Sequence, residues 1–127
     1  MRYLLLVVCI LFSVQSLAQS QCDDATLRGS YGFILSYSSG SRLIGVFDYS
    51  GDGKVAIHGR KVVSGQLQAM NLSGTYSVHE GCVGEITIPG SQGKDLSFLF
   101  VIVGDGSEIQ TIVTNQMNAP SFVQKRQ

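Results

Sequence analysis

Leu27-Arg28-Gly29-Ser30-Tyr31-Gly32-Phe33-Ile34-Leu35-Ser36-Tyr37 decides the fold. Tyr31, Phe33, Leu35 and Tyr37 share one phase of a two-residue repeat, and the other phase is mostly small and polar: Ser30, Gly32, Ser36 and Ser38. Side chains of a strand point alternately to its two faces, so this segment reads as a strand with one buried face. Ser38-Ser39-Gly40-Ser41 has turn chemistry. Leu43, Gly45, Phe47 and Tyr49 then repeat the phase. Ser50-Gly51-Asp52-Gly53 supplies the residues that tolerate positive φ, as a tight hairpin requires.

Working outward, further strands are expected at 54–63, 66–72 (a weaker one), 74–80, 82–88, 95–103, 108–114 and 121–124. Residues 98–103 are apolar throughout, which suits a strand buried on both faces. Fifteen glycines punctuate the chain, and its two prolines, Pro89 and Pro120, fall in turn-like places. Eight or nine short strands without a crossover helix predict an all-β, antiparallel up-and-down β-barrel of about eight strands. Closure removes the exposed edges of such a meander.

The start of the chain reads differently. Met1-Arg2 is a short basic opening, residues 3–12 are almost continuously apolar, and Ser16-Leu17-Ala18 is a small-x-small cleavage site. Residues 1–18 are therefore expected to be an export signal, with 19–127 as a single barrel domain, secreted or periplasmic. The apolar core is nearer ten residues than the roughly 20 needed to cross a bilayer, and no second run of spanning length follows. Gln19-Ser20-Gln21 before Cys22 is not a lipobox. Basic and acidic residues number nine each, and only Arg2 leaves with the signal. That balance argues against a nucleic-acid partner, which normally meets a basic face.

Of three cysteines, Cys9 lies in the signal. Cys22 and Cys82 allow one intramolecular pairing, which an oxidising compartment favours. The alternatives are free or intermolecular thiols, or a metal site that recruits His79. Two or three ligands are too few for a closed zinc centre, so no metal is expected.

Several segments together carry a resemblance. They are Cys22-x-x-x-x-Leu27-x-Gly29-x-Tyr31-x-Phe33, Gly45-Val46-Phe47-Asp48-x-x-Gly51-x-Gly53-x-Val55, Gly74-Thr75-Tyr76-x-Val78, Cys82-x-Gly84-x-Ile86-x-Ile88, Leu96-Ser97-Phe98 and Glu108-Ile109. The set resembles the small secreted proteins related to the allene oxide cyclase barrel, a lipocalin-like eight-stranded fold, over nearly the whole mature chain. The resemblance implies a small barrel with its two cysteines bridged. The plant cyclase's active-site pattern does not map onto these residues one by one. The chain has no Trp, so the lipocalin Gly-x-Trp signature is missing. The likeness is architectural, and architecture alone does not fix function.

Candidate chemistry is sparse. Asp48-x-Ser50-x-Asp52-Gly53 begins like a calcium loop, but Gly59 occupies the position that needs a bidentate Glu, so a hairpin turn is expected. His58 and His79 read as polar strand-face residues, because no Gly-x-Ser-x-Gly elbow accompanies them. Glu85 and Glu108 are the candidate acid/base groups. Either one projecting into an apolar lumen would have a raised pKa and could serve a bound hydrophobic molecule. In the phase opposite Ile86, Glu85 is instead a solubility residue. Tyr31, Phe33, Phe47, Tyr76, Phe98 and Phe100 are the expected inner wall and the candidate ligand-binding residues. A barrel of this size either packs solid or holds one small ligand. Asn71-Leu72-Ser73 is a glycosylation sequon. No phosphate loop, HExxH, CxxC or Rossmann fingerprint occurs, and no cofactor is expected.

Three functional readings follow. The first is an exported barrel that binds a small hydrophobic molecule inside. The second is a cyclase- or isomerase-type enzyme using Glu85 or Glu108. The third is a non-catalytic structural or host-interaction protein with a solid core, acting through an apolar patch on its outer surface. Oligomeric state is not legible from composition or pattern.

Overall fold

A computed structural model describes residues 21–90, 93–116 and 120–127; the proposed export signal lies outside them. Eight strands follow in order: β1 Arg28–Ser36, β2 Arg42–Ser50, β3 Lys54–Val63, β4 Gln66–His79, β5 Val83–Ile88, β6 Leu96–Val103, β7 Glu108–Val113 and β8 Ser121–Arg126. Each pairs antiparallel with the next, and β8 returns to β1 through Tyr31–Arg126, Gly32–Lys125 and Phe33–Gln124. The result is a closed up-and-down barrel. Among the described residues, no helix is long and apolar enough to cross a membrane.

The alternating pattern becomes an inside and an outside. Tyr31, Phe33 and Leu35 of β1 are buried and meet Phe47 and Tyr49 of β2, Val55 and Ile57 of β3, and Tyr76 of β4 in one core. Gly45 and Gly59 face each other across β2 and β3. A Cβ on either would run into the backbone of the facing strand, so these glycines let the sheet bend tightly rather than leave interior space. Between β3 and β4, Ser64 and Gly65 both have positive φ (50° and 76°), the conformation of a two-residue hairpin whose twist matches its strands.

Two expectations are corrected. Segments 66–72 and 74–80 are a single strand, β4. Gly74 marks a close approach, since a Cβ there would meet the Thr87 carbonyl and Ile88, and the strand runs straight through it. Residues 98–103 are not buried on both faces. Phe98, Phe100 and Ile102 point inward, whereas Leu99 and Val103 are exposed, because no second layer covers β6. A short 3-10 turn, Asp24–Thr26, precedes β1; Asp23 caps it, its side chain accepting from the Thr26 N–H while the Thr26 hydroxyl accepts from the Asp23 N–H.

Cys22 and Cys82 form a disulfide, with Cα atoms 5.0 Å apart and a sequence separation of 60. It ties the segment before β1 to the β4–β5 turn. A formed disulfide is consistent with an oxidising compartment.

Candidate functional site

Three tyrosines and the segment just before β1 seal one end of the barrel. Tyr49 stands edge-on to both Tyr31 and Tyr76, with ring centroids 5.3 and 5.1 Å apart. The Tyr76 hydroxyl bonds the carbonyls of Asp24 (2.7 Å) and Leu27 (2.9 Å), and the Asp24 carboxylate accepts the Val78 N–H at 2.8 Å. Leu27 is thereby drawn fully into the core. The Tyr31 hydroxyl donates to the Gly106 carbonyl and accepts from Arg126 Nη2 at 3.0 Å. Tyr49 donates to Gln124 Oε1 at 2.7 Å, and Gln124 Nε2 donates to Thr111 Oγ1 at 3.0 Å. Burial pushes the Tyr49 phenol well above its ordinary pKa. Among the described residues no buried side-chain polar atom lacks a partner, so this network is a satisfied plug.

Phenylalanines fill the middle. Phe33 and Phe47 pack at 4.8 Å, Phe47 and Phe98 at 5.9 Å, and Phe122 meets Phe33 at 5.5 Å and Phe98 at 6.0 Å. All six expected wall residues point inward and are buried. They fill the interior rather than surround a chamber. A void of about 20 Å³ lies near the other end, beside Tyr37, Leu43, Met70, Leu72 and Leu96, against the roughly 300 Å³ or more of ordinary ligand pockets. Phe122 and Tyr49 belong to this interior as fully as the six.

The carboxylates stand outside. Glu85 lies in the phase opposite Ile86, 3.4 Å from His79 Nε2, and both side chains are more than half exposed. Glu108 faces Lys125 Nζ at 4.0 Å on the outer surface of β7 and β8. Neither reaches the interior, so the lumenal acid/base expected of them has no group to supply it. His58 sits between Asn71 (3.0 Å) and Asp48 (3.7 Å). The nearby Ser30 hydroxyl bonds Asp48 rather than the imidazole, an order that activates no nucleophile. In the Asp48–Gly53 segment the Ser50 hydroxyl closes the turn onto Lys54, and no cluster suited to a metal occurs among the described residues.

A concavity lies on the outer face of β5–β8. Register builds it. Val83, Val101, Gln110 and Val123 line up across the strands as one wall, and Glu85, Leu99, Ile112 and Ser121 as the other. The row between them, Gly84, Phe100, Thr111 and Phe122, turns its side chains inward and leaves backbone as the floor. Alternate residues of a strand put the walls roughly 7 Å apart, and four strands give a length of roughly 14 Å. The groove encloses about 600 Å³. Val83, Leu99, Ile112 and Val123 are 47%, 47%, 48% and 41% exposed, while His79 and Glu85 mark its polar end. Val123 also lines a second depression with Ile34 and Ile44, so the apolar surface crosses the β8–β1 seam.

These features define a closed eight-stranded antiparallel barrel with a filled core and an apolar outer groove. No protein-family model matches the sequence, and no curated protein does. Among solved structures the chain is similar to a de novo designed fluorescence-activating β-barrel, with 14% identity and a TM-score of 0.62 over 84% of this chain and 100% of that one. At that identity the likeness is one of fold.

Proposed function

We propose that this chain is an exported, non-catalytic binding module that takes a small elongated apolar molecule along the outer groove of β5–β8. The export signal at 1–18 and the resemblance to the allene oxide cyclase-like barrels belong to this reading. One contrast carries it: about 600 Å³ of apolar groove outside against about 20 Å³ of void inside. Pockets of several hundred Å³ lined by apolar side chains, with a few polar groups at one end, are where small ligands bind. The packed rings support the reading a second way, because they hold the floor row rigid. The experiment is titration with fatty acids and fluorescent hydrophobes against wild type and Leu99→Ser/Ile112→Ser. Saturable binding that the double variant abolishes is the expected result. Binding of equal strength in the variant would return the ligand to the six interior aromatics and overturn the groove.

The continuation of the apolar surface through Val123 to Ile34 and Ile44 favours a second reading, a macromolecular partner on the same face. A protein inert to every small hydrophobe tested supports it.

A further inference from the structure

The barrel is closed, yet β4 keeps a bare edge. β3 covers one side of β4 from Gln66 to Thr75, while β5 pairs with its other side only from Thr75 onward. Pro89 follows β5 directly and has no N–H with which to extend the ladder. The direction of the bare groups can be fixed. The Tyr76 N–H donates to the Gly53 carbonyl at 2.8 Å, on the β3 side. Backbone groups alternate sides along a strand, and the β3–β4 register runs without a bulge. The even-numbered residues of β4 therefore face β3, and Leu67, Ala69 and Asn71 aim their N–H and C=O groups away from it, where no described strand meets them.

Such an edge is usually blunted by charge, proline or a bulge. Residues 66–74 contain no charged residue and no proline, and Leu67 is 60% exposed. From this edge we infer that the chain self-associates: β4 of a second copy adds antiparallel to β4, about a two-fold axis at Ala69.

The segment complements itself. A two-fold at Ala69 sets Leu67 opposite Asn71 of the second copy, Ala69 opposite Ala69, and Gln68 opposite Met70. Leu67, Ala69 and Asn71 are the residues whose backbone groups are free, and each such pair exchanges two hydrogen bonds. Paired residues have the same parity, so both copies keep their outer faces on one side of the joined sheet. No like charges meet at the seam; Arg60 and Lys61 stand on β3, one strand back. Among the described residues no strand pairs with this side of β4 below Thr75, and the second copy's Ser64-Gly65 turn ends at that point, beside Pro89.

An interface of one strand pair is small, so association is weak and concentration-dependent. Sedimentation velocity on the mature chain, from low to high micromolar, reads it directly. The expected result is a reversible dimer. Ala69→Lys sets two ammonium groups opposite each other at the axis and weakens association by at least about tenfold. Its exposed site leaves the β3 ladder intact, which the circular dichroism spectrum checks. Ala69→Cys yields a disulfide-linked dimer on oxidation, because the two Cβ atoms lie within about 5.5 Å. A wild type that stays monomeric, an Ala69→Lys variant that associates as wild type does, or an Ala69→Cys variant that does not cross-link overturns the proposal. So does a dimer abolished by Leu99→Ser/Ile112→Ser and untouched by Ala69→Lys, which would place the contact on the groove face.

Discussion

The two ends of the barrel are built on opposite principles. At one end, a disulfide ties the segment before β1 to the β4–β5 turn, Tyr76 and Val78 of β4 bond Asp24 and Leu27, and the Tyr31 hydroxyl of β1 bonds the Gly106 carbonyl in the β6–β7 turn. At the other, Tyr37, Leu43, Leu72 and Leu96 close the interior half-buried, and the side-chain bonds there are exposed: the Tyr37 hydroxyl to Gln116 at 3.1 Å, and Asn115 to the Ser97 N–H and the Asp95 carbonyl. Buried directional bonds fix the first end, whereas area removed from water and solvent-exposed bonds close the second. A barrel held firmly at one rim can leave its opposite rim and its outer strands to selection for something other than stability. The exposed apolar rows of β5–β8 and the bare edge of β4 are where that freedom shows.

The disulfide offers the largest test of this asymmetry. Joining residues 60 apart, it removes loop entropy from the unfolded chain worth about 4 kcal/mol. Cys22→Ala/Cys82→Ala is expected to lose most of that in urea unfolding. A loss under about 1 kcal/mol would mean that the hydrogen bonds alone hold the sealed end.

Tyr49 tests the plug itself. Tyr49→Phe leaves Gln124 Oε1 buried without its donor, at a cost of about 1–3 kcal/mol. The same residue sets a pH dependence. Burial raises the Tyr49 pKa in the fold above its ordinary value of 10.0. The unfolded chain therefore gives up this proton first. The contribution is complete below about pH 10 and falls as pH rises beyond it, by up to about 1.4 kcal/mol per pH unit. Unfolding free energies measured between pH 9 and pH 11 are expected to decline more steeply for wild type than for Tyr49→Phe. Equal slopes would show the phenol reached by water and the plug incomplete.

The sealed and open ends were unequally legible in the sequence. The alternation at 27–37 and 43–49 placed Tyr31, Phe33, Leu35, Phe47 and Tyr49 inside, because period two belongs to any strand with one wet face. The Cys22–Cys82 pairing was readable from compartment and count. The plug was hidden: Asp23-x-x-Thr26 carries a capping signal, but nothing local shows that Tyr76 will reach Asp24 from 52 residues away. The division expected between 66–72 and 74–80 failed because Ser73-Gly74, whose glycine serves a close approach, has the composition of a turn. The outer groove takes one residue from each of four strands per wall, so it exists only once register is known. Its trace was Val83, Leu99, Val101, Ile112 and Val123 in a phase where polar residues are the norm, and the continuous run at 98–103 masked it.

One chemical change made at both ends isolates the contrast. Tyr76→Phe and Tyr37→Phe each delete a single hydroxyl. At the sealed end, the buried Leu27 carbonyl loses the Tyr76 hydroxyl, while the part-buried Asp24 carbonyl keeps the Leu27 N–H. A cost of about 1–1.5 kcal/mol is expected. At the open end, Gln116 is exposed and exchanges the lost hydroxyl for water, so Tyr37→Phe should stay within about 0.5 kcal/mol of wild type. Chemical denaturation of the two variants in one buffer measures the difference. Equal costs would mean that the open rim is as directionally held as the sealed one, and that the freedom ascribed to the outer strands needs another origin.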